Sequence, residues 1–385
     1  MTLESLRRDI DRIDARILSL LDERLEKGLL TRRHKSGSLD SGREAEVLGR
    51  VSARSRCLAD EAFTTGLYRR IMDESKAIQD RRLSLIGFQG MHGAYGEAAA
   101  RAWAPEAATM PFGEFSQVFD AVLAGDVDYG IVPVENTLGG VVGQVNSILV
   151  TTELRVAGAV DMAVSHCLLA PPGADHRELR TVYSHGQALS QCRRFIERNG
   201  LEGVDWFDTA GAARMIAEER PKGAAAIASR FAAELYGLEI IKDGIQDSPN
   251  NRTRFFVLAK EARQATNGPA DGDHGRAGDD GRAGDHGKAG DHGRAGDDGR
   301  AGDKCSAVFF ADDKAGALFA VLEVFAEAGI NLTRIESVPT EPGDYAIFID
   351  FAGSDRDEAV IKALDRAGGL SRGFRLLGCY AERRL

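Results

Sequence analysis

No run of apolar residues in this chain is long enough to span a bilayer. Its opening, Met1-Thr2-Leu3-Glu4-Ser5-Leu6-Arg7-Arg8, lacks the apolar core of a secretory signal peptide. A cytoplasmic protein with no membrane partner is therefore expected. Cysteine is scarce: Cys57, Cys167, Cys192, Cys305 and Cys379 are scattered, odd in number and never spaced as C-x-x-C. That pattern suits a reducing compartment, with the thiols serving as small core residues. No spacing of histidine and cysteine supports a metal site, and no G-x-G-x-x-G marks a dinucleotide site, so neither metal nor cofactor is expected. Positive charge is in deficit as well. A net charge of −10 argues against a general nucleic-acid-binding surface. Any anionic ligand must then be held by local clusters of Arg and Lys.

What is present is enough apolar material, 43% of 385 residues, for two to four folded domains. Residues 3–35 contain no proline and keep helical spacing through Leu3, Leu6, Ile10, Ile13, Ile17 and Leu25. Gly28 is a weak point in that helix, costing about 1 kcal/mol against alanine. Further helices are expected from about Arg43 to Leu58 and from about Glu61 to Gln79. The long helix projects beyond the other two, and pairing with a second chain is the expected remedy, giving a homodimer or a higher even oligomer.

Most cations on the long helix read as a solvated face. Arg24 and Lys35 differ, because eleven residues at ~100° each return them to nearly one face, about 16 Å apart. Arg7 lies about 25 Å from Arg24 along the same axis, too far to share its ligand within one chain. Asp40-x-x-Arg43-Glu44 follows, and Ser75 and Gln79 share a face by their i,i+4 spacing. These positions resemble the all-helical chorismate mutases. The resemblance implies an intertwined dimer over residues 1–82. In it, Arg24 and Arg7 of a second chain grip the two carboxylates of chorismate. Lys35 and Gln79 address the ether oxygen, while Asp40, Arg43, Glu44 and Ser75 help position the rest. A pericyclic rearrangement needs only a compact conformer and charge against the developing negative oxygen.

From Leu83 the pattern becomes α/β. Leu83 to Phe88 reads as a strand, then come the glycine-rich Gly90 to Gly96 and an alanine-rich helix. A helix from Phe115 to Leu123 precedes the strand Tyr129 to Val134, which ends in Glu135-Asn136-Thr137. Polar residues at the carboxyl end of such a strand are where open α/β sheets place ligands. A second α/β run begins near Val160 and includes Tyr183-Ser184-His185-Gly186-Gln187. His166-Cys167 sits in an apolar strand and reads as core. The chain then returns through Asn250-Asn251-Arg252-Thr253-Arg254-Phe255, a turn running into a buried strand. Thr253, between two cations, suits donation of a proton or hydrogen bond to an anionic substrate.

These three segments together resemble prephenate dehydratase over residues 83–262. The resemblance implies a two-lobed fold like that of periplasmic binding proteins. Thr253 is then the proton donor, Asn136 and Gln187 orient the substrate, and Glu135, His185 and Arg254 help bind it. Gly96 stands where the family has serine, which removes a substrate hydrogen bond. Gly186 replaces a proline, which loosens a turn.

Residues 263–304 change character, running strictly Gly-x-y from Gly272 without proline in the repeats. Collagen needs proline, so the tract reads as a disordered, charge-alternating linker. Residues 305–385 then read strand, helix, strand, strand, helix, strand. Gly316-Ala317-Leu318-Phe319 and Glu336-Ser337-Val338-Pro339 resemble the two phenylalanine-binding motifs of the ACT regulatory domain, with Val338 where arginine is usual. By that resemblance Gly316, Ala317, Leu318, Glu336 and Ser337 contact phenylalanine as an allosteric inhibitor. The order of segments resembles the bifunctional mutase–dehydratase family of phenylalanine biosynthesis. Two rival readings stand beside it: a dehydratase using arogenate, and a non-enzymatic two-lobed binding protein.

Overall fold

The structure, a computed structural model, describes residues 2–35, 40–54, 58–261, 304–312, 314–341 and 344–385. The chain divides into two compact units. One holds the N-terminal helices and the first two sheets; the other holds most of the third sheet with its helices.

Three helices come first: α1 (Leu3–Arg33), α2 (Ser41–Arg54) and α3 (Glu61–Asp80). Asp60 starts α3 by accepting from the Phe63 amide at 2.7 Å, which satisfies one of the free N–H groups of the first turn. Gly28 has a packing reason. A Cβ there would lie 2.6 Å from Ser75 Oγ, so its absence lets α1 approach α3. Further back along α1, Leu3, Leu6, Ile10, Ile13 and Ile17 remain 42–66% exposed.

The first lobe is built from β1 (Leu85–Gln89), α4 (Tyr95–Trp103), β2 (Ala108–Phe112), α5 (Phe115–Ala124), β3 (Tyr129–Asn136), β4 (Gly140–Val141), α6 (Gly143–Thr151) and β5 (Arg155–Ala163). The second contains β6 (Cys167–Ala170), β7 (Thr181–Ser184), α7 (Gly186–Gln191), α8 (Arg193–Arg198), β8 (Glu202–Asp205), α9 (Thr209–Glu219), β9 (Ala224–Ala228), α10 (Arg230–Tyr236) and β10 (Glu239–Lys242). The chain then recrosses to the first sheet as β11 (Arg252–Ala259), lying antiparallel between β3 and β5. Each lobe has its own apolar core, around Ile86, Phe88 and Val257 in the first and around Leu169, Ile216 and Ala226 in the second. Two chain crossings between two sheets give the expected two-lobed form.

The third sheet comes from β12 (Lys304–Phe310), α11 (Ala317–Glu327), β13 (Leu332–Glu341), β14 (Asp344–Ala352), α12 (Glu358–Leu370) and β15 (Arg372–Tyr380), in the order β13-β14-β12-β15. This is the expected βαββαβ pattern. A last strand, β16 (Glu382–Arg384), runs parallel to β5 in the first sheet, which the sequence reading did not foresee. The cysteine expectation needs a second correction. Cys305 and Cys379 are joined as a disulfide, because antiparallel pairing of β12 with β15 sets them directly opposite. The Gly-x-y tract expected as a linker lies outside the described residues, apart from Lys304, which opens β12.

Candidate active sites

The first cavity, of about 420 Å³, lies among the three N-terminal helices. Helical periodicity puts Arg24, Gly28 and Thr31 on one stripe of α1, Lys35 follows in the turn just past Arg33, and all four line the cavity. Asp40 accepts from the Arg43 backbone N–H at 2.9 Å, so α2 begins at the cavity wall. That bond, helped by the Lys35 ammonium 3.6 Å away, holds the Asp40 carboxyl below its ordinary range. Glu44 and Arg43 line the same wall, Arg43 also reaching Glu46 at 2.6 Å. From α3, Gln79 Nε2 donates to Ser75 Oγ at 3.1 Å. Seven of the eight expected positions thus converge; Arg7 does not line the cavity. Sequence reasoning missed Lys76, which lines the cavity and pairs with Glu44 at 3.1 Å and Asp73 at 2.9 Å. Its position next to Ser75 put it one step around the helix from the expected face.

The second cavity, of about 530 Å³, opens at the ends of β3 and β11 and the N-termini of α4 and α7. Thr253 lies opposite Asn136 in the β3–β11 register. Asn136 Nδ2 shares its two hydrogens among three acceptors, Thr253 Oγ1 at 2.8 Å, Asn251 Oδ1 at 2.9 Å and the Arg252 carbonyl at 3.1 Å. Its Oδ1 accepts from the amides of Leu138 at 3.0 Å and Gly139 at 2.7 Å. Backbone groups on both sides therefore fix which end of the Asn136 amide faces Thr253. Thr253 Oγ1 faces that N–H as an acceptor and also lines the cavity, so its hydroxyl can donate to a ligand there. Gln187 also lines the cavity, and a Cβ on Gly139 would lie 2.4 Å from its Nε2, so a larger residue there would push the Gln187 amide aside.

Two expected contributors to this cavity are not in it. Glu135 and Arg254 are cross-strand partners one residue away from Asn136 and Thr253, so strand alternation turns them to the other face. Arg254 is instead ion-paired with Glu382 of β16 and lies over the Phe256 ring, while Arg252 pairs with Asp161 at 2.9 Å. The idea of a hydroxyl between two cleft-facing cations is corrected accordingly. His185 lines the cavity, but its Nδ1 caps α7 by accepting from the Gln187 amide at 3.3 Å. Gly96 also lines the cavity, and a Cβ there would make ordinary contact at 3.6 Å with Phe88. Serine therefore fits at that position. Residues missed from the sequence include Tyr95, His166 and Gln191, all lining the cavity. His166, read as core, is 2% exposed yet makes polar contacts with both of the others.

An ionic triad joins α1 to the loop ahead of α4. His92 Nε2 lies 2.7 Å from Glu26 Oε1, and its Nδ1 lies 3.2 Å from Glu97 Oε1. Burial alone would lower the His92 pKa, but the two carboxylates outweigh it and hold it up at about 9. Burial would likewise raise Glu97, but His92, the Gly93 amide and Thr109 bring it down to about 2.

In the third sheet, Gly316 has φ +85 and immediately precedes α11, and an added Cβ there would meet nothing within 4 Å. Glycine suits this position because the backbone is left-handed there. Ala317 and Leu318 begin α11, Leu318 packing on the core; Glu336 and Ser337 lie in β13.

Cations converging in an all-helical cavity, with a hydroxyl–amide pair in a two-lobed cleft, define a chain with two small-molecule enzyme sites. Comparison with known proteins says which. Residues 6–80 match chorismate mutase type II, residues 86–263 prephenate dehydratase and residues 306–369 the ACT domain. A bifunctional chorismate mutase/prephenate dehydratase of Neisseria gonorrhoeae is 31% identical over 97% of this chain and 95% of its own. Arogenate dehydratase/prephenate dehydratase 2 of Arabidopsis thaliana is 37% identical over 77% of this chain and 72% of its own. The solved prephenate dehydratase of Arthrobacter aurescens, in complex with L-Phe, superposes with a TM-score of 0.63 at 28% identity, covering 77% of this chain and 89% of that one. The chain belongs to the bifunctional chorismate mutase/prephenate dehydratase family, and it is an isomerase and a carbon–oxygen lyase in one polypeptide.

Proposed function

We propose that the helical cavity rearranges chorismate and that the two-lobed cavity converts the resulting prephenate to phenylpyruvate, with Thr253 as proton donor. The observation that carries the second assignment is Thr253 Oγ1 in the cavity wall, held by the 2.8 Å bond from Asn136, where its hydroxyl can donate to a bound substrate. Protonating the ring hydroxyl lets it leave as water. The electron pair of the ring–carboxylate bond becomes part of the aromatic ring, and carbon dioxide departs. Gln187 and Asn136 orient the substrate. In the helical cavity Lys35 and Gln79 meet the ether oxygen, Arg24 a carboxylate, and Asp40, Glu44 and Ser75 the remainder.

The absence of Arg7 from its own chain's cavity, together with the exposed Leu3, Leu6, Ile10, Ile13 and Ile17, supports a cavity completed by a second copy of α1. The assembly is then a homodimer or a higher even oligomer, working in the cytoplasm. Phenylalanine inhibits through the domain of residues 305–385, as the L-Phe complex of the Arthrobacter relative suggests. The arogenate-using alternative is favoured by the plant relatives, and product analysis with each substrate separates the two.

The two activities should come apart. Thr253→Ala should abolish most phenylpyruvate formation while chorismate consumption persists, and Lys35→Ala should do the reverse. Loss of both activities from either substitution in a folded protein would show the assignment to be wrong.

A further inference from the structure

His166 sits at the end of a polar chain that begins at Thr253. Asn136 is locked by backbone groups so that its Nδ2 faces Asn251 Oδ1. Asn251 must then present Nδ2 to its next neighbour, and it donates to Gln191 Oε1 at 3.0 Å. Gln191 Oε1 also lies 2.9 Å from His166 Nε2. An acceptor already facing Asn251 can meet that ring nitrogen only if the nitrogen carries a hydrogen. Turning Gln191 over would set its NH2 against the Asn251 NH2, two donors face to face. Polarity is thus transmitted residue by residue from the backbone to the imidazole.

We infer that His166, held with its hydrogen on Nε2, is a positioning residue of the dehydratase: it locks the Gln191 amide so that the NH2 end faces the cavity. The inference rests on the reading of this cavity as the prephenate site. Burial pushes His166 below its ordinary range, so the ring is neutral near pH 7 and carries a single N–H. The other ring nitrogen, Nδ1, lies 3.0 Å from the Tyr95 hydroxyl, which also contacts the Ser165 carbonyl at 2.6 Å. That hydroxyl can either donate to Nδ1 or accept from it, whereas Gln191 Oε1 can only accept, so the Gln191 side decides where the ring hydrogen sits. Gln246 holds the strand end by accepting from the His166 backbone N–H at 3.0 Å. No carboxylate takes part in these contacts; the neighbours are a phenol, two amides and a carbonyl. With Oε1 engaged twice, Gln191 offers its two N–H groups to a ligand, which suits a dianionic substrate.

The test compares two substitutions of similar polarity. In His166→Gln the terminal amide reaches the place of Nε2 and supplies the donor. In His166→Asn the amide is shorter, reaches only the place of Nδ1, and leaves Gln191 unheld. Prephenate kcat/KM should fall about tenfold in His166→Asn, the loss expected from one buried hydrogen bond, and stay within about threefold of the parent in His166→Gln. Chorismate mutase activity of the same preparations should be unchanged, which separates a local effect from unfolding. In a Gln191→Leu background His166→Asn should cause no further loss. Equal losses in the two variants, or an undiminished loss in that background, would overturn the inference. Should His166→Asn not fold, ¹⁵N-imidazole spectra of the parent enzyme decide: a hydrogen on Nδ1 refutes the inference, and one on Nε2 supports it. If Thr253→Ala retains full dehydratase activity, the reading of the cavity fails instead.

Discussion

The Glu26–His92–Glu97 triad makes the stability of the first unit depend on pH in a direction that can be worked out. His92 is raised from 6.5 to about 9, so folding favours its protonated form. That contribution is fully present below pH 6.5 and is lost as pH rises through 9. The shift of roughly 2.5 units corresponds to about 3 kcal/mol at pH 6, about 2 kcal/mol at pH 7.5 and under ~0.5 kcal/mol at pH 9. His92 is mostly shielded from water, with 28% of its side chain exposed, so solvent screening leaves most of this in place. His92→Gln removes the titrating group and keeps the size. Glu97 retains Arg101, Thr109 and the Gly93 amide as partners, which limits further damage. The assay is urea unfolding followed by tryptophan fluorescence, because Trp103 and Trp206 both lie in this unit. The stability gap between parent and variant should be widest near pH 6 and close by pH 9.5. Using the difference cancels the titration of tyrosines, lysines and thiols common to both. A gap that stays constant, or widens with pH, would refute the reasoning.

Three further outcomes are expected. Gly28→Ala improves helix propensity by about 1 kcal/mol, yet its Cβ at 2.6 Å displaces Ser75 Oγ from Gln79, so mutase kcat should fall with dehydratase activity and melting temperature nearly unchanged. Co-expressed Arg7→Ala and Lys35→Ala subunits should regain mutase activity that neither homodimer has, since one site in the mixed dimer collects both intact residues; proven mixed dimers without activity would count against a shared site. Gly316→Val forces a β-branched residue to φ +85, and should weaken phenylalanine inhibition of the dehydratase while leaving its uninhibited rate in place, as read from inhibition curves.

Arg24 and Lys35 were legible from the sequence because the fixed turn per residue of α1, carried just past its end at Arg33, brings both to one cavity. The same holds for Ser75 with Gln79, for the start of α3 near Glu61, and for Thr253 at the head of a buried strand. Segment order and element type were also readable, since glycine, proline and apolar spacing act over a few residues. Tertiary structure decided the rest. Arg254 looked like a cleft cation until β16, 128 residues further along, supplied Glu382 on the opposite face. His166 looked like core because its strand is apolar. Its partners Tyr95 and Gln191 lie 71 and 25 residues away, and only the crossing between lobes brings them to the same ring. Cys305 and Cys379, 74 residues apart, became a pair through the β12–β15 register. Periodicity is a property of the local backbone and survives in the sequence; a contact between distant strands depends on how sheets pair, which no local spacing encodes.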